Sequence, residues 1–164
     1  MKTGRGFPDR VALPLAQPEA FLAVLAFAFH TTWELLQDPL YAGLATRAHA
    51  DVRSACLKAA AGDVGITFIA FYAASLTARS RLWVLRENSA ATIVWFLIGL
   101  AITVVLEWKA VADGAWLYTP SMPVVPVLRV GLAPLAQWIV IPAILLVLIR
   151  LCMSSVGSLQ RKTS

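Results

Sequence analysis

Charged residues are scarce in this chain. Asp, Glu, Lys and Arg make up 14% of its 164 residues, whereas soluble domains run near a quarter. With 59% of residues hydrophobic and a mean hydropathy of +0.73, a soluble fold of this size could not cover its apolar surface. A bilayer removes the need to cover it. Cysteine is scarce too. Cys56 and Cys152 show no CxxC or CxxH spacing, which excludes a zinc ribbon or a redox pair. Each falls near the end of a predicted helix, at opposite membrane faces, so no disulfide is expected and both read as small apolar residues. The only histidines are His30 and His49. His49 falls in a predicted loop, which disfavours a bis-histidine haem. No serine lies near His30 by depth, so Ser/His/Asp catalysis has no support. No Gly-rich phosphate loop is present. The first 18 residues carry Lys2, Arg5, Arg10, Pro8, Pro14 and Pro18. The apolar run after them is too long for a signal-peptide core, so no cleavable signal is expected.

What the chain has is long apolar runs. A spanning helix needs about 20 largely apolar residues, and four segments qualify: Glu19 to Leu44, Ser54 to Thr77, Ala90 to Val111 and Val127 to Met153. The expected architecture is therefore all-α, a polytopic membrane protein with a four-helix transmembrane bundle. It divides into an N-terminal segment (1–18), a transmembrane domain (19–155) and a short tail (156–164). The segment Ala78 to Ser89 is polar and basic. Ala112 to Pro126 is a Pro-containing loop, long enough for a small lid or a re-entrant turn. No internal repeat or low-complexity tract is present.

The basic residues set the orientation. Lys2, Arg5, Arg10, Arg79, Arg81, Arg86, Arg150, Arg161 and Lys162 fall on one side; Arg47, Arg53, Lys58, Lys109 and Arg129 fall on the other. The richer side is cytoplasmic by the positive-inside rule, so both termini are expected inside. The net charge of +5 is this signature and not a nucleic-acid footprint. The expected location is the inner membrane of a bacterium.

The spans contain residues that lipid does not tolerate. In the first, His30, Glu34, Asp38 and Tyr41 recur at intervals of three or four and share one helix face. A carboxylate there costs several kcal/mol even on the mildest scale, so the face must look into the bundle or a wet cavity. Pro39 is expected to kink or end the helix. The second span brings Lys58, Asp63 and Thr67. The third brings Gly99, Thr103 and Glu107 at intervals of four, and the fourth brings Arg129 and Gln137. Alternating direction delivers all of these to one level in the outer half of the bundle.

The structural alternative is a network of ion pairs, Asp63 with Lys58 and Glu107 with Arg129. Asp113, Lys109 and Arg53 are expected in the hydrated headgroup layer. His30 with Glu34 one turn away makes a better pair than a lone histidine, because each fixes the other's position and proton state. One histidine plus carboxylates is a poor zinc set, so neither a metal nor another cofactor is expected.

Two resemblances follow from these residues. The stretch Glu107-Trp-Lys-Ala110-Val-Ala-Asp-Gly114-Ala-Trp116-Leu-Tyr118 is similar to the acid, Ala, Gly, Trp, aromatic spacing of the prokaryotic lycopene cyclase domain. Pro134-Leu-Ala136-Gln137 falls where that family has Pro-x-Glu-Glu, and Pro142 fits as well. This match covers about 40 residues of the last two spans. Glu107 stands where the family has Asp, and Ala136-Gln137 replaces its Glu-Glu pair. His30-Thr-Thr-Trp33-Glu34 resembles the His-x-x-x-Glu of the emopamil-binding (EXPERA) group of four-span proteins, which includes a sterol isomerase. Asp63 stands where the isomerase has a second acid, and Trp138-Ile-Val-Ile-Pro142 resembles its Trp-x-x-x-Pro.

Both resemblances imply one chemistry. An acid in an apolar pocket protonates an isolated C=C, and a carbocation forms, is held, and loses a proton elsewhere. Burial favours the neutral acid, and aromatic faces stabilise the cation. The expected catalytic set is His30, Glu34, Asp63 and Glu107, with Glu34 or Asp63 as acid and His30 as base or relay. The expected substrate-binding set is Trp33, Asp38, Tyr41, Trp116, Gln137 and Trp138, with Trp116 also suited to an interfacial anchor. The expected partners are a hydrophobic lipid or isoprenoid, the membrane lipids, and a homodimer or membrane complex. The alternatives are a non-enzymatic lipid-binding or complex-stabilising protein, and a small proton-coupled transporter.

Overall fold

The computed structural model describes residues 18–42, 49–86 and 88–162, with side chains through Cys152. The expected N-terminal segment therefore lies almost wholly outside the described residues. Helix α1 runs Pro18–Gln37, α2 His49–Ala78, α3 Ser89–Ala112 and α4 Leu132–Lys162. Strands of two residues each lie between them: β1 Tyr41–Ala42, β2 Leu117–Tyr118, β3 Val124–Val125 and β4 Val130–Gly131. All four helices are long and apolar enough to cross a membrane. The connection after α2 contains a 3-10 turn at Arg81–Leu85.

The helix ends follow from local chemistry. Pro39 lies in a 3-10 turn, Asp38–Leu40, that closes α1; proline there cannot continue the α-helical ladder. At the end of α2, Arg79 takes φ 51°. Ser80 N–H then donates to Ser75 O at 3.0 Å and Arg79 N–H to Leu76 O at 3.2 Å, a Schellman closure. Helix α3 ends the same way on Gly114 (φ 67°), with Ala115 N–H on Ala110 O at 2.8 Å. It begins on Asn88, whose side chain accepts from Ala91 N–H at 3.0 Å, satisfying one orphan donor of the first turn.

The helices alternate in direction. Cys56 Sγ lies 3.8 Å from Glu34 O, joining the start of α2 to the end of α1. Tyr41 pairs with Tyr118 and Ala42 with Leu117 in an antiparallel ribbon, so α1 and α3 finish at the same end, here called upper. At the lower end, Arg81 meets Glu19 at 3.2 Å and Arg150 Nε donates to Val84 O at 2.8 Å. Each helix packs on its chain neighbours, and α4 closes the ring against α1. The lower half is filled by Leu22, Phe71, Trp83, Trp95, Leu145 and Ile149, all buried. Leu76, Val24 and Leu97 stand 80%, 64% and 59% exposed. Apolar side chains on the outward faces of a bundle are what a lipid solvent tolerates.

Three expectations about the elements change. Helix α4 starts at Leu132 and not at Val127, because Val124–Val125 and Val130–Gly131 form a hairpin whose turn includes Arg129 at φ 54°. Helix α2 starts at His49, before the expected Ser54, so His49 opens a helix and does not lie in a loop. Its polar first turns had masked the helix. The stretch after α3 is not purely irregular, since β2 pairs with β1 over the upper end.

Candidate functional site

A cavity of about 390 Å³ opens in the upper half of the ring. That lies in the range of small-molecule pockets, roughly 300–1,000 Å³. Its α2 wall is made of Ala55, Ala59 and Gly62, with Ile66 below. These recur at three- and four-residue steps along one face, and a Cβ added to Gly62 would meet nothing within 4 Å. Small side chains on this face leave the space open. Glu34, Asp63 and Glu107 project into it from α1, α2 and α3, and Gln137 from α4. Among the described residues, no Lys, Arg or His lines it.

Gln137 is the hub of one end. It is 2% exposed. Its Nε2 lies 2.8 Å from His30 Nδ1, 2.9 Å from Asp63 Oδ2 and 3.3 Å from Glu34 Oε1. One NH2 group has two hydrogens for these three acceptors. Gln37 supplements it, donating to Glu34 Oε1 at 2.8 Å, and is oriented by Trp33 Nε1–H on its own oxygen at 3.1 Å. His30 is fully buried beneath this hub and does not line the cavity. With Nδ1 accepting from Gln137, the ring proton falls on Nε2, which faces Thr67 Oγ1 at 3.3 Å. The neutral Nε2–H tautomer therefore fits the network; Nδ1, whose lone pair takes the Gln137 hydrogen, lies 3.5 Å from Asp63 Oδ2. The Trp138 ring lies 5.3 Å from the imidazole and forms cavity wall on its other side.

The other end is held by the ribbon. Glu107 Oε2 accepts from Tyr118 O–H and, at 3.4 Å, from Trp116 Nε1–H. Its Oε1 accepts from Tyr41 O–H at 3.4 Å. Burial pushes the Tyr118 phenol above its usual range, and its bond to Glu107 pushes it further. Burial and the Glu107 charge do the same to Tyr41. Both stay protonated donors across ordinary pH.

The structure thus brings Glu34, Asp63, Glu107, Tyr41, Trp116, Gln137 and Trp138 to one cavity, with His30 one layer behind. Trp33 acts only through Gln37. Asp38 falls in the turn after α1 and does not line the cavity; its Oδ1 is buried without a partner. The expected ion pairs do not form among the described residues. Lys58 and Asp63 are five residues apart, roughly 140° around a helix, and Lys58 lies instead in an exposed groove beside Arg53 and Phe27. Arg129 is exposed on the hairpin turn, while the ribbon takes Glu107. Lys109 and Asp113 pair with each other, 69% and 56% exposed. Among the described residues, no three His, Cys, Asp or Glu side chains are arranged to hold a metal ion. Gln37 and Tyr118, given no site role from sequence, complete the site together with Thr103. Gln37 was legible, one turn beyond Glu34 on the same face; Tyr118 had no periodic signal, because a tertiary strand pairing places it.

No protein-family profile, curated protein or solved structure matches the chain.

Proposed function

We propose that this is an integral membrane protein of the bacterial inner membrane, with both termini inside, whose outer cavity isomerises or cyclises an isoprenoid-like lipid through a carbocation. The observation that carries this reading is the meeting of Glu34 and Asp63, from two helices, over a buried His30 in an apolar cavity walled by Trp138 and Trp116. In the proposed reaction the π pair of an isolated C=C takes the proton of Glu34 or Asp63, leaving a cation on the neighbouring carbon. The Glu107 carboxylate and the indole faces stabilise that cation. A proton then leaves an adjacent carbon for the carboxylate, with His30 Nδ1 as relay, and a new C=C forms. No co-reactant is consumed.

The inward half of the bundle supports this over a proton-coupled carrier. Below Thr67 the core is Ala70, Phe71, Leu22 and Trp95, a poor path for a proton. The orientation rests on Arg79, Arg81, Arg86 and Arg150 at the lower end. Reporter fusions after Arg86 should read cytoplasmic and fusions at Tyr118 should read outside; the reverse would place the cavity on the wrong face.

The chemical test begins with mass spectrometry of lipids that co-purify with the protein, which are then returned to it in D2O. Proton-initiated turnover adds deuterium to carbon, and Glu34→Gln or Asp63→Asn abolishes the addition. Lipid that stays bound without acquiring deuterium would instead make this a binding protein.

A further inference from the structure

Thr103 has a hydroxyl that the fold does not use. It is 6% exposed, it lines the cavity, and its Oγ1 has no hydrogen-bond partner. Helical Ser and Thr usually return their hydroxyl to the carbonyl one turn back. Elsewhere in this bundle they do: Thr32 to Ala28 O at 2.9 Å, Ser75 to Phe71 O at 2.8 Å, Thr77 to Ala73 O at 3.1 Å. Thr31 also has an orphan hydroxyl, but it does not line the cavity. Thr103 lies between Gly99 and Glu107 on α3, on the face that meets Trp138.

The walls around it offer more acceptors than donors. Glu34, Asp63 and Glu107 supply carboxylate oxygens, while the amide hydrogens of Gln37 and Gln137 are already committed. A hydrocarbon ligand would leave the Thr103 hydroxyl stranded. An ammonium group, the form an amine takes beside carboxylates, could give to them but has no lone pair to accept the Thr103 proton. A ketone or ether could accept it but has no hydrogen to give the Glu107 carboxylate, the acid that the proposed reaction keeps ionised. A hydroxyl does both: it accepts from Thr103 and donates to the acid wall. Resting on the reading of the cavity as a lipid site, we infer that its occupant is an alcohol, an isoprenoid-like lipid with a hydroxyl anchored on Thr103 Oγ1.

The test compares farnesol with farnesene, which share a hydrocarbon skeleton. Purified protein in mixed micelles is equilibrated with equal amounts of both, and the retained lipid is extracted and quantified. Wild-type protein should retain farnesol over farnesene by about tenfold, the scale of one buried hydrogen bond. Thr103→Val, which keeps the shape, should bring the ratio close to one; Thr103→Ser, which keeps the hydroxyl, should preserve it. The valine variant should melt no lower than wild type, because it deletes a group with no partner. Equal retention by wild type, or a farnesol preference that survives Thr103→Val, would overturn the inference. So would retention of neither lipid by protein with an intact melt, which would also remove the lipid site. Deuterium incorporation separates the two claims. A Thr103-dependent farnesol preference without incorporation leaves the alcohol assignment standing and defeats only the catalytic reading.

Discussion

Replacing Gln137 by Met tests whether one amide organises the site. The change keeps length and flexibility but removes both amide hydrogens. His30 Nδ1, Asp63 Oδ2 and Glu34 Oε1 all lie within 3.3 Å of that nitrogen, and at most two can be served at once. Glu34 keeps Gln37, and Asp63 borders the cavity, where water can replace a donor. His30 is fully buried and has no such recourse. Stranding a buried acceptor costs about 1–3 kcal/mol, and that is the expected loss in unfolding free energy. It is measured by titrating SDS into mixed micelles and following tryptophan fluorescence. Adding Asp63→Asn to the Gln137→Met variant supplies a new amide within reach of His30, since Asp63 Oδ2 is 3.5 Å from Nδ1. It should therefore restore part of the loss, a non-additivity of about 1 kcal/mol or more. A single variant within about 0.5 kcal/mol of wild type, the scatter expected of a neutral surface change, would show that the amide is not the hub.

Two further outcomes follow from the geometry. Gly99→Ala places a Cβ 2.3 and 2.6 Å from two Trp138 ring carbons, so the indole must move off its imidazole neighbour. The same titration should show a loss of about 1–3 kcal/mol, as for other overpacked sites, and an unchanged midpoint would mean the ring has room. Alkali should loosen the ribbon. Tyr41 and Tyr118 have folded pKa values above their ordinary 10.0, so the fold binds their protons more tightly than the unfolded chain does. Their contribution is intact below about pH 10 and falls as pH rises beyond it. Tyr118→Phe should be less stable at neutral pH yet lose less stability between pH 9 and 11, read by the same fluorescence assay; an equal alkaline slope would remove Tyr118 as the cause.

Much of the architecture was legible because a bilayer leaves few solutions. Long apolar runs bounded by basic residues place helices, and the period of the polar residues places His30, Glu34 and Asp63 on inward faces. The site pairing was read less well. Lys58 and Asp63 are close in sequence but point apart around the helix, and an apolar run conceals which side chains face lipid. Glu107 was legible as an inward acid, but not its partners. Tyr41 and Tyr118 reach it through a ribbon of two-residue strands, too short to show any alternation. The start of α4 was misplaced for the same reason. Val127 and Val130 read as the start of a span, yet they belong to a hairpin with Val124 and Val125, where β-branched side chains pack well.

The three carboxyls of the cavity are not equivalent, and the difference lies in what supports them. Glu34 and Asp63 are oriented by amides on α1 and α4, helices that also form the closed core below. Their geometry is fixed by packing, as the proposed proton transfer requires. Glu107 is fixed from outside the helices, by Tyr41 on β1, Tyr118 on β2 and Trp116 just before it. That ribbon is joined to the end of α1 by Thr119 N–H and Oγ1 on Leu40 O, at 2.9 and 3.1 Å, and has little buried apolar surface of its own. Segments with few buried contacts open at lower free energy than the core around them. In the proposed function the ribbon end is therefore the way in for a lipid, while the Glu34–Asp63 end keeps its shape. Glu107 has these three donors because the ribbon is paired over it. In the proposed reaction, the carboxylate that faces the developing cation is thus held by the ribbon, and the acid pair by the helices.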